Sequence, residues 1–227
     1  MKIGDVDLSV PRIVGVVSTI DEVINAERAG ADLLEIRIDL LDRTENVDQF
    51  FKDVHLSSPL PVIATNRWSK EGGSFTGSEE ERISMLLSAM EHSDAVDIEL
   101  RAAERNVVTE GAKKQGMPSI ISYHDFDKTP PKEQMMRMLE EARGAGDIPK
   151  LAVMANSLGD VLKLLEVTLL AQKPLCTIAM GALGVHSRII APLYGSALTY
   201  GHAGRAKAPG QLSVSELRNT LDVLLRR

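Results

Sequence analysis

Eight short apolar runs punctuate this chain from Arg12 onward, and a new one begins roughly every 20–30 residues, the length of one strand-plus-helix unit. They are RIVGVVST (12–19), LLEIRIDL (33–40), VIATNR (62–67), AVDIEL (95–100), SIISYHD (119–125), KLAVMA (150–155), LCTIAM (175–180) and ALTYG (197–201). The stretches between them carry helical periodicity, as in SEEERISMLLSAMEH, PPKEQMMRMLEEARG and SLGDVLKLLEVTLLAQ. Ser78 with Glu81 and Ser213 with Glu216 have the capping-box spacing that starts a helix. Gly30, Gly116 and Gly146 follow helical stretches, where a stop is needed. Eight such units in 227 residues, with no Pro/Gly/Ser linker, predict one α/β domain over 1–227 built as a (β/α)8 TIM barrel. A doubly wound open sheet is the competing architecture, but it lacks its Gly-rich dinucleotide turn after the first strand. MKIGDVDL, ahead of the first run, is read as a short hairpin across the barrel floor.

The barrel makes the charges in two strands informative. In LLEIRIDL, Leu34, Ile36, Ile38 and Leu40 share one face, and Glu35, Arg37 and Asp39 share the other. On an antiparallel sheet the charged face would simply meet water. In a parallel barrel helices cover the outside, so the apolar set faces the helices and the charges point inward. Buried there, they cost several kcal/mol unless paired or used. AVDIEL followed by Arg101 repeats the pattern, with Asp97, Glu99 and Arg101 inward. Arg67 and His124 are predicted on inward faces at strand C-terminal ends, where barrels assemble their active sites.

Lys150 follows Pro149 at the foot of an apolar strand, and alone it reads as a solvated strand end. In a barrel its face also carries Ala152 and Met154, so the position above it is small. A lysine stem of roughly 6 Å spans nearly two residues of strand rise and can carry the amine up towards His124. An amine among arginines in a poorly hydrated interior is expected to have a depressed pKa, and a neutral amine attacks carbonyls. Lysine, histidine and inward arginines together suggest Schiff-base chemistry on an anionic carbonyl compound. Taken singly, His124 beside Asp125 is an ordinary solvated strand end and Arg188 an ordinary first-turn helix residue.

Six fragments in order resemble type I 3-dehydroquinate dehydratases: EIRID (35–39), TNRWSKEGG (65–73), SYHDF (122–126), PKLAVMA (149–155), AMGALGVHSRI (179–189) and APGQLS (208–213). The resemblance implies a cytoplasmic lyase of the shikimate pathway. Its third step turns 3-dehydroquinate into 3-dehydroshikimate, towards chorismate and the aromatic amino acids. It further implies that Lys150 forms an imine with the substrate ketone, that His124 is the general acid/base, and that Glu71 is the carboxylate partner of His124. Glu35, Arg37 and Arg67 match residues that hold the ring hydroxyls. Arg188 and Gln211 match the grip on the substrate carboxylate, and Met180 an apolar wall. Neither metal nor cofactor is implied. Many members are homodimers, although no stripe in this sequence identifies an interface. The chain departs from the family where Lys207 replaces a common serine, Tyr200 a phenylalanine and Ile178 a methionine. The KEGG and GRAKAPGQ segments read as lids, rich in the Gly and Pro of closing loops.

Composition narrows the partners. A net charge of −6 disfavours nucleic acid and anionic membranes. No apolar run reaches transmembrane length and no signal peptide is seen, so a cytosolic protein is expected. The single cysteine, Cys176, lies in an apolar run and reads as a buried structural thiol. His55, His92, His186 and His202 lack metal-ligand spacing. Two rivals remain at this point. One is a Schiff-base aldolase of sugar phosphates, using the Gly-rich MGALG turn as a phosphate cradle. The other is a catalytically inactive barrel that serves as a scaffold.

Overall fold

A short antiparallel hairpin, Lys2–Ile3 (β1) and Val6–Asp7 (β2), opens the chain. Eight parallel strands follow it in the computed structural model, which describes residues 1–42 and 46–225. They are Arg12–Val17 (β3), Leu33–Arg37 (β4), Val62–Thr65 (β5), Ala95–Glu99 (β6), Ser119–Asp125 (β7), Ile148–Met154 (β8), Cys176–Met180 (β9) and Leu198–His202 (β10). Their order is β10-β3-β4-β5-β6-β7-β8-β9. The ring is drawn together between β9 and β10 by a lighter seam. Ala197 N donates to Leu175 O at 2.7 Å, and the hydroxyl of Ser196 accepts from Thr177 N at 3.1 Å while donating to Leu198 O at 3.0 Å.

Helices return the chain between strands: Ile20–Arg28 (α1), Val47–Ser57 (α2), Glu79–Met90 (α3), Arg105–Gln115 (α4), Lys132–Ala145 (α5), Leu158–Leu170 (α6), Ser187–Ile190 (α7) and Val214–Leu224 (α8). Both expected capping boxes form, at Ser78/Glu81 and Ser213/Glu216. Of the LRNTLDVLLRR segment, Leu217 and Leu221 are buried as α8 packs on β3 and β10, and its last two residues lie outside the described residues. Among the described residues no helix is long and apolar enough to cross a membrane.

Two apolar layers follow from the alternation. Leu34, Ile36, Val96 and Ile98 face the helices, while Val14, Leu33, Ile63, Ile120 and Ile148 fill the lower barrel. Ile3 and Leu8 plug that lower layer from the hairpin, so the floor is sealed by side chains. Each such aliphatic removed from water contributes about 1.5–3 kcal/mol. The polar positions are thereby confined to the upper half, where the strands end.

Local geometry departs from the sequence expectations in four places. Strand β4 stops at Arg37, and Ile38–Leu40 turns as a 3₁₀ segment. Asp39 therefore leaves the inward row and folds back on Arg37, with Nε–Oδ1 at 2.8 Å and Nη2–Oδ2 at 2.7 Å. Arg101 lies past the end of β6, so its side chain sits half exposed on the rim instead of inside. Strand β8 starts at Ile148, which packs into the floor layer, so Lys150 is the strand's third residue and not its first. Gly30 and Gly116 take left-handed φ, whereas Gly146 is extended. A Cβ on Gly146 would lie 2.5 Å from Ser119 Oγ, so crowding selects glycine there.

Candidate active site

One cavity at the C-terminal ends of the strands is lined by Glu35, Arg37, Arg67, Glu71, His124, Lys150, Met180, Arg188 and Gln211, all nine sequence-predicted residues. They come from five strands or strand ends, the turn after β5, helix α7 and the loop before α8, so only closure of the barrel brings them together.

Lys150 is buried, and its amine donates to Asp97 Oδ2 at 2.9 Å and Glu35 Oε1 at 3.3 Å. It also sits 3.9 Å from the centroid of the Tyr200 ring, a cation–π contact. Ala152 above it is small, as its strand face requires. The expectation of a depressed lysine pKa fails. Burial does push the amine's pKa down, but Asp97 and Glu35 together outweigh burial and the Arg67 charge, so it is raised. The sequence reading counted the arginines and left out the acids that face the amine.

Asp97 and its strand neighbour Glu99 also bind arginines. Arg67 gives Nη2 to Asp97 Oδ1 at 2.8 Å, and Nη1 to both Glu99 Oε1 and Ser122 Oγ at 2.7 Å. Arg82 reaches the second Glu99 oxygen at 2.9 Å. Asp97 thus bridges Arg67 and Lys150, one oxygen to each. Its pKa is held below the ordinary carboxylate value, because these cations overcome the burial that would raise it.

His124 occupies the next inward position above Ser122 on β7, and Ser122 pairs with Lys150 on β8. Glu71 Oε2 accepts from both the His124 backbone N–H, at 2.8 Å, and Nδ1, at 3.0 Å. An ionised carboxylate only accepts, so Nδ1 carries the hydrogen and Nε2 is left with a free lone pair. Burial and the charges of Arg67 and Lys150 hold the imidazole well below its ordinary pKa, so it is neutral at pH 7. Glu71 Oε1 meanwhile accepts from Arg101 Nε at 3.1 Å. The KEGG segment places Glu71 by a 3₁₀ turn, Ser69–Glu71, closed by Gly72 at φ +80°. A Cβ on Gly72 would stand 2.3 Å from the ring of Phe126, which stacks beside His124. Gly72 is therefore required both for its φ and for that close approach.

On the opposite side, Arg188 is buried, and its guanidinium hydrogens run to carbonyl oxygens: Gly210 at 2.9 Å, and Tyr200 and Pro209 at 3.3 Å. Among the described residues it meets no carboxylate. Burial without a counter-charge lowers its pKa to about 10, so it is still a cation at neutral pH. Gln211 receives the Lys207 N–H on Oε1 at 2.7 Å, and Met180 with Ile178 forms an apolar wall. Cys176, the partner of Lys150 across the β8–β9 pairing, is buried and its thiol is pushed up to about 11. It is structural, as its apolar run indicated.

Sequence reasoning recognised Asp97 and Glu99 as inward charges but gave them no place at the site. The signal was present, since Asp97 shares an inward face with Thr65 and Lys150. Ser122 is legible as an inward neighbour of His124 but carries no role in the sequence, and Phe126, also within SYHDF, carries no such signal.

A family model described as Type I 3-dehydroquinase matches residues 12–226. A 3-dehydroquinate dehydratase of Methanococcoides burtonii is 45% identical over 232 aligned positions, covering 99% of each chain. A type I 3-dehydroquinate dehydratase from Clostridium difficile, solved with covalent modified comenic acid, aligns with a TM-score of 0.91. It is 31% identical, over 99% of this chain and 97% of that one. The 3-dehydroquinate dehydratase from Geobacillus kaustophilus aligns with a TM-score of 0.88 at 29% identity, over 96% and 92%.

Proposed function

This chain belongs to the type I 3-dehydroquinase family, and from that premise we propose that it dehydrates 3-dehydroquinate through an imine on Lys150, with His124 carrying the proton. It is a hydro-lyase of the shikimate pathway. The observation that carries the finer reading is a neutral imidazole with a free Nε2 beside a buried amine, in a cavity that also holds a cation without a carboxylate.

Each step has a residue suited to it. Arg188 takes the substrate carboxylate as a bidentate fork, with Gln211 beside it. Glu35, Arg37 and Arg67 hold the ring hydroxyls, and Met180 packs against the ring. Lys150 passes its proton to the ketone oxygen as its amine adds to the ketone carbon; that oxygen takes a second hydrogen from the nitrogen and leaves as water, giving a protonated imine. That imine is an electron sink for the C–H bond beside it. His124 Nε2 takes that proton, and the C–H electrons flow into the imine to form an enamine. The enamine then returns its electrons and expels the hydroxyl one carbon further on, which receives the proton from His124 and leaves as water. Hydrolysis of the conjugated imine consumes one water, returns the Lys150 amine and releases 3-dehydroshikimate. The net change is loss of one water. Glu71 keeps Nδ1 protonated throughout and stabilises the transient imidazolium. The covalent modified comenic acid with which the Clostridium difficile relative was solved agrees with a nucleophile in sites of this kind.

The test mixes protein, 3-dehydroquinate and borohydride, then weighs the intact chain and its peptides. A reduced adduct on the Lys150 peptide is expected, along with a conjugated-enone absorbance when borohydride is left out. Active protein with no adduct on that peptide overturns the imine. Lys150→Ala should fold and lose almost all turnover. His124→Ala should still form the imine and release it slowly.

A further inference from the structure

The loop between β10 and α8 carries Gln211 and two of the three carbonyls that hold Arg188, and an ion pair fastens it to α1, the helix that follows the neighbouring strand β3. Lys207 Nζ donates to Glu22 Oε1 at 2.8 Å, Glu22 Oε2 at 2.9 Å and Ser18 Oγ at 2.9 Å. An ammonium has three hydrogens, and three acceptors take them. Lys207 lines the cavity, yet its charge is spent on α1 and is not offered to a substrate. Glu22 is itself held, because its Oε2 accepts from the Ser18 backbone N–H at 2.7 Å.

Both members of the pair are mostly buried, with side chains 11% and 13% exposed. Water therefore screens it less than an ordinary surface bridge. The chain around it is shaped to the contact. A Cβ on Gly204 would lie 2.8 Å from Glu22 Oε1, so glycine lets the loop pass over the carboxylate. From Lys207 the connection runs onward without a gap. Its N–H binds the Gln211 side chain at 2.7 Å, Arg188 binds Gly210 O and Pro209 O, and Gly181 N reaches Pro209 O at 3.3 Å.

We propose that Glu22, which lies outside the cavity, is a positioning residue: through Lys207 it holds the 203–212 loop closed before substrate arrives, presetting Gln211 and Arg188 for the substrate carboxylate. The effect on substrate rests on the dehydratase reading above; the effect on the loop does not. A loop fastened in advance spends less ordering entropy on binding, so the strut acts on affinity and leaves the chemical step alone.

The test is Glu22→Gln, which keeps the side chain's shape and an acceptor for Ser18 but removes the charge. Amide exchange across residues 203–212 of the ligand-free protein should quicken, and KM for 3-dehydroquinate should rise about tenfold, the loss of one charge-assisted contact, with kcat retained. The double swap Glu22→Lys with Lys207→Glu should restore slow exchange. Lys207→Met, read by exchange alone, cuts the strut from its other end and guards against a fault peculiar to Glu22→Gln. Loop exchange at the wild-type rate in both single variants overturns the proposal, as does faster exchange with an unchanged KM. If wild-type protein fails to dehydrate 3-dehydroquinate, the dehydratase reading falls, while ligand-free exchange still decides whether the strut exists.

Discussion

The Nζ of Lys150 lies 2.9 Å from Oδ2 of Asp97, with both groups buried. The proposed imine requires a neutral amine, yet this one rests in its charged form, because Asp97 and Glu35 more than cancel the effect of burial. The resting enzyme therefore stores the amine as half of an ion pair, and attack requires the proton to leave. Replacing Glu35 with Gln removes one of the two negative charges and leaves Asp97 on Arg67. Losing a carboxylate at this range should move the pH midpoint of borohydride trapping lower by about one pH unit or more. The midpoint is the readout, since Glu35 is also proposed to hold a ring hydroxyl. A midpoint that stays put, or rises, removes Glu35 from control of the amine. Asp97→Asn should move it the same way, but at a cost in stability as well, because the buried Arg67 then keeps only Glu99 as a charged partner.

His124 makes a pH prediction of opposite kind. Its folded pKa is depressed, by burial first and by Arg67 and Lys150 next. Below the ordinary imidazole value of ~6.5 the unfolded chain takes up a proton that the folded chain refuses, so folding stability falls as pH drops. Above that value the two states bind equally and the effect vanishes. His124→Gln removes the group, and the difference curve against wild type should open below about pH 6.5 with a slope near 1.4 kcal/mol per pH unit. Chemical denaturation at a series of pH values measures it. A flat difference curve means that the folded imidazole titrates normally. The same depression keeps Nε2 basic in form, so the acid limb of kcat/KM should lie below 6.5 as well.

How far the sequence carries is visible in these two residues. The barrel was legible because strand and helix alternate at one spacing, and the inward face of Lys150 followed from parity with Ala152 and Met154. Partners were not legible in the same way. Asp97 lies two strands away from Lys150, on the far side of β7, and meets it only because the barrel's interior is narrow. Glu71 reaches His124 across 53 residues and Lys207 reaches Glu22 across 185. Alternation also broke at the strand ends, where Asp39 turned back on Arg37 and Arg101 swung to the rim. Periodicity reports which way a strand residue points; it carries no information on what a long side chain meets after the strand has ended.

Arg188 should behave as the anion site. Its carbonyl partners orient the fork but supply no net negative charge, so a bound carboxylate is its strongest available partner. Arg188→Lys keeps the charge and loses the bidentate geometry. KM for 3-dehydroquinate should rise about 10–100-fold with a smaller fall in kcat, as expected for losing a charged hydrogen bond. Wild-type protein should also gain thermal stability from quinate, a ring carboxylate without the ketone, and the variant should not. Equal stabilisation of both proteins moves the carboxylate elsewhere in the cavity.

Tyr200 separates what a ring does from what a hydroxyl does. Its face holds the Lys150 amine at 3.9 Å, but its buried Oη finds no hydrogen-bond partner among the described residues. An unsatisfied buried hydroxyl costs about 1–3 kcal/mol, whereas a phenyl ring in its place costs nothing of that kind. Tyr200→Phe should therefore stabilise the ligand-free protein by about 1 kcal/mol or more, seen as a Tm higher by ~2–4 °C for a chain of this length. The ring face survives, so the cation–π contact survives with it, and kcat should stay within about twofold of wild type. Tyr200→Leu supplies the contrast. It removes the π face and leaves a void against Lys150, so stability should fall by about 2–4 kcal/mol. The midpoint of imine trapping should fall as well, because one stabiliser of the charged amine is gone. A lower Tm for Tyr200→Phe means that the hydroxyl has a partner after all. A raised KM at unchanged stability makes that partner the substrate.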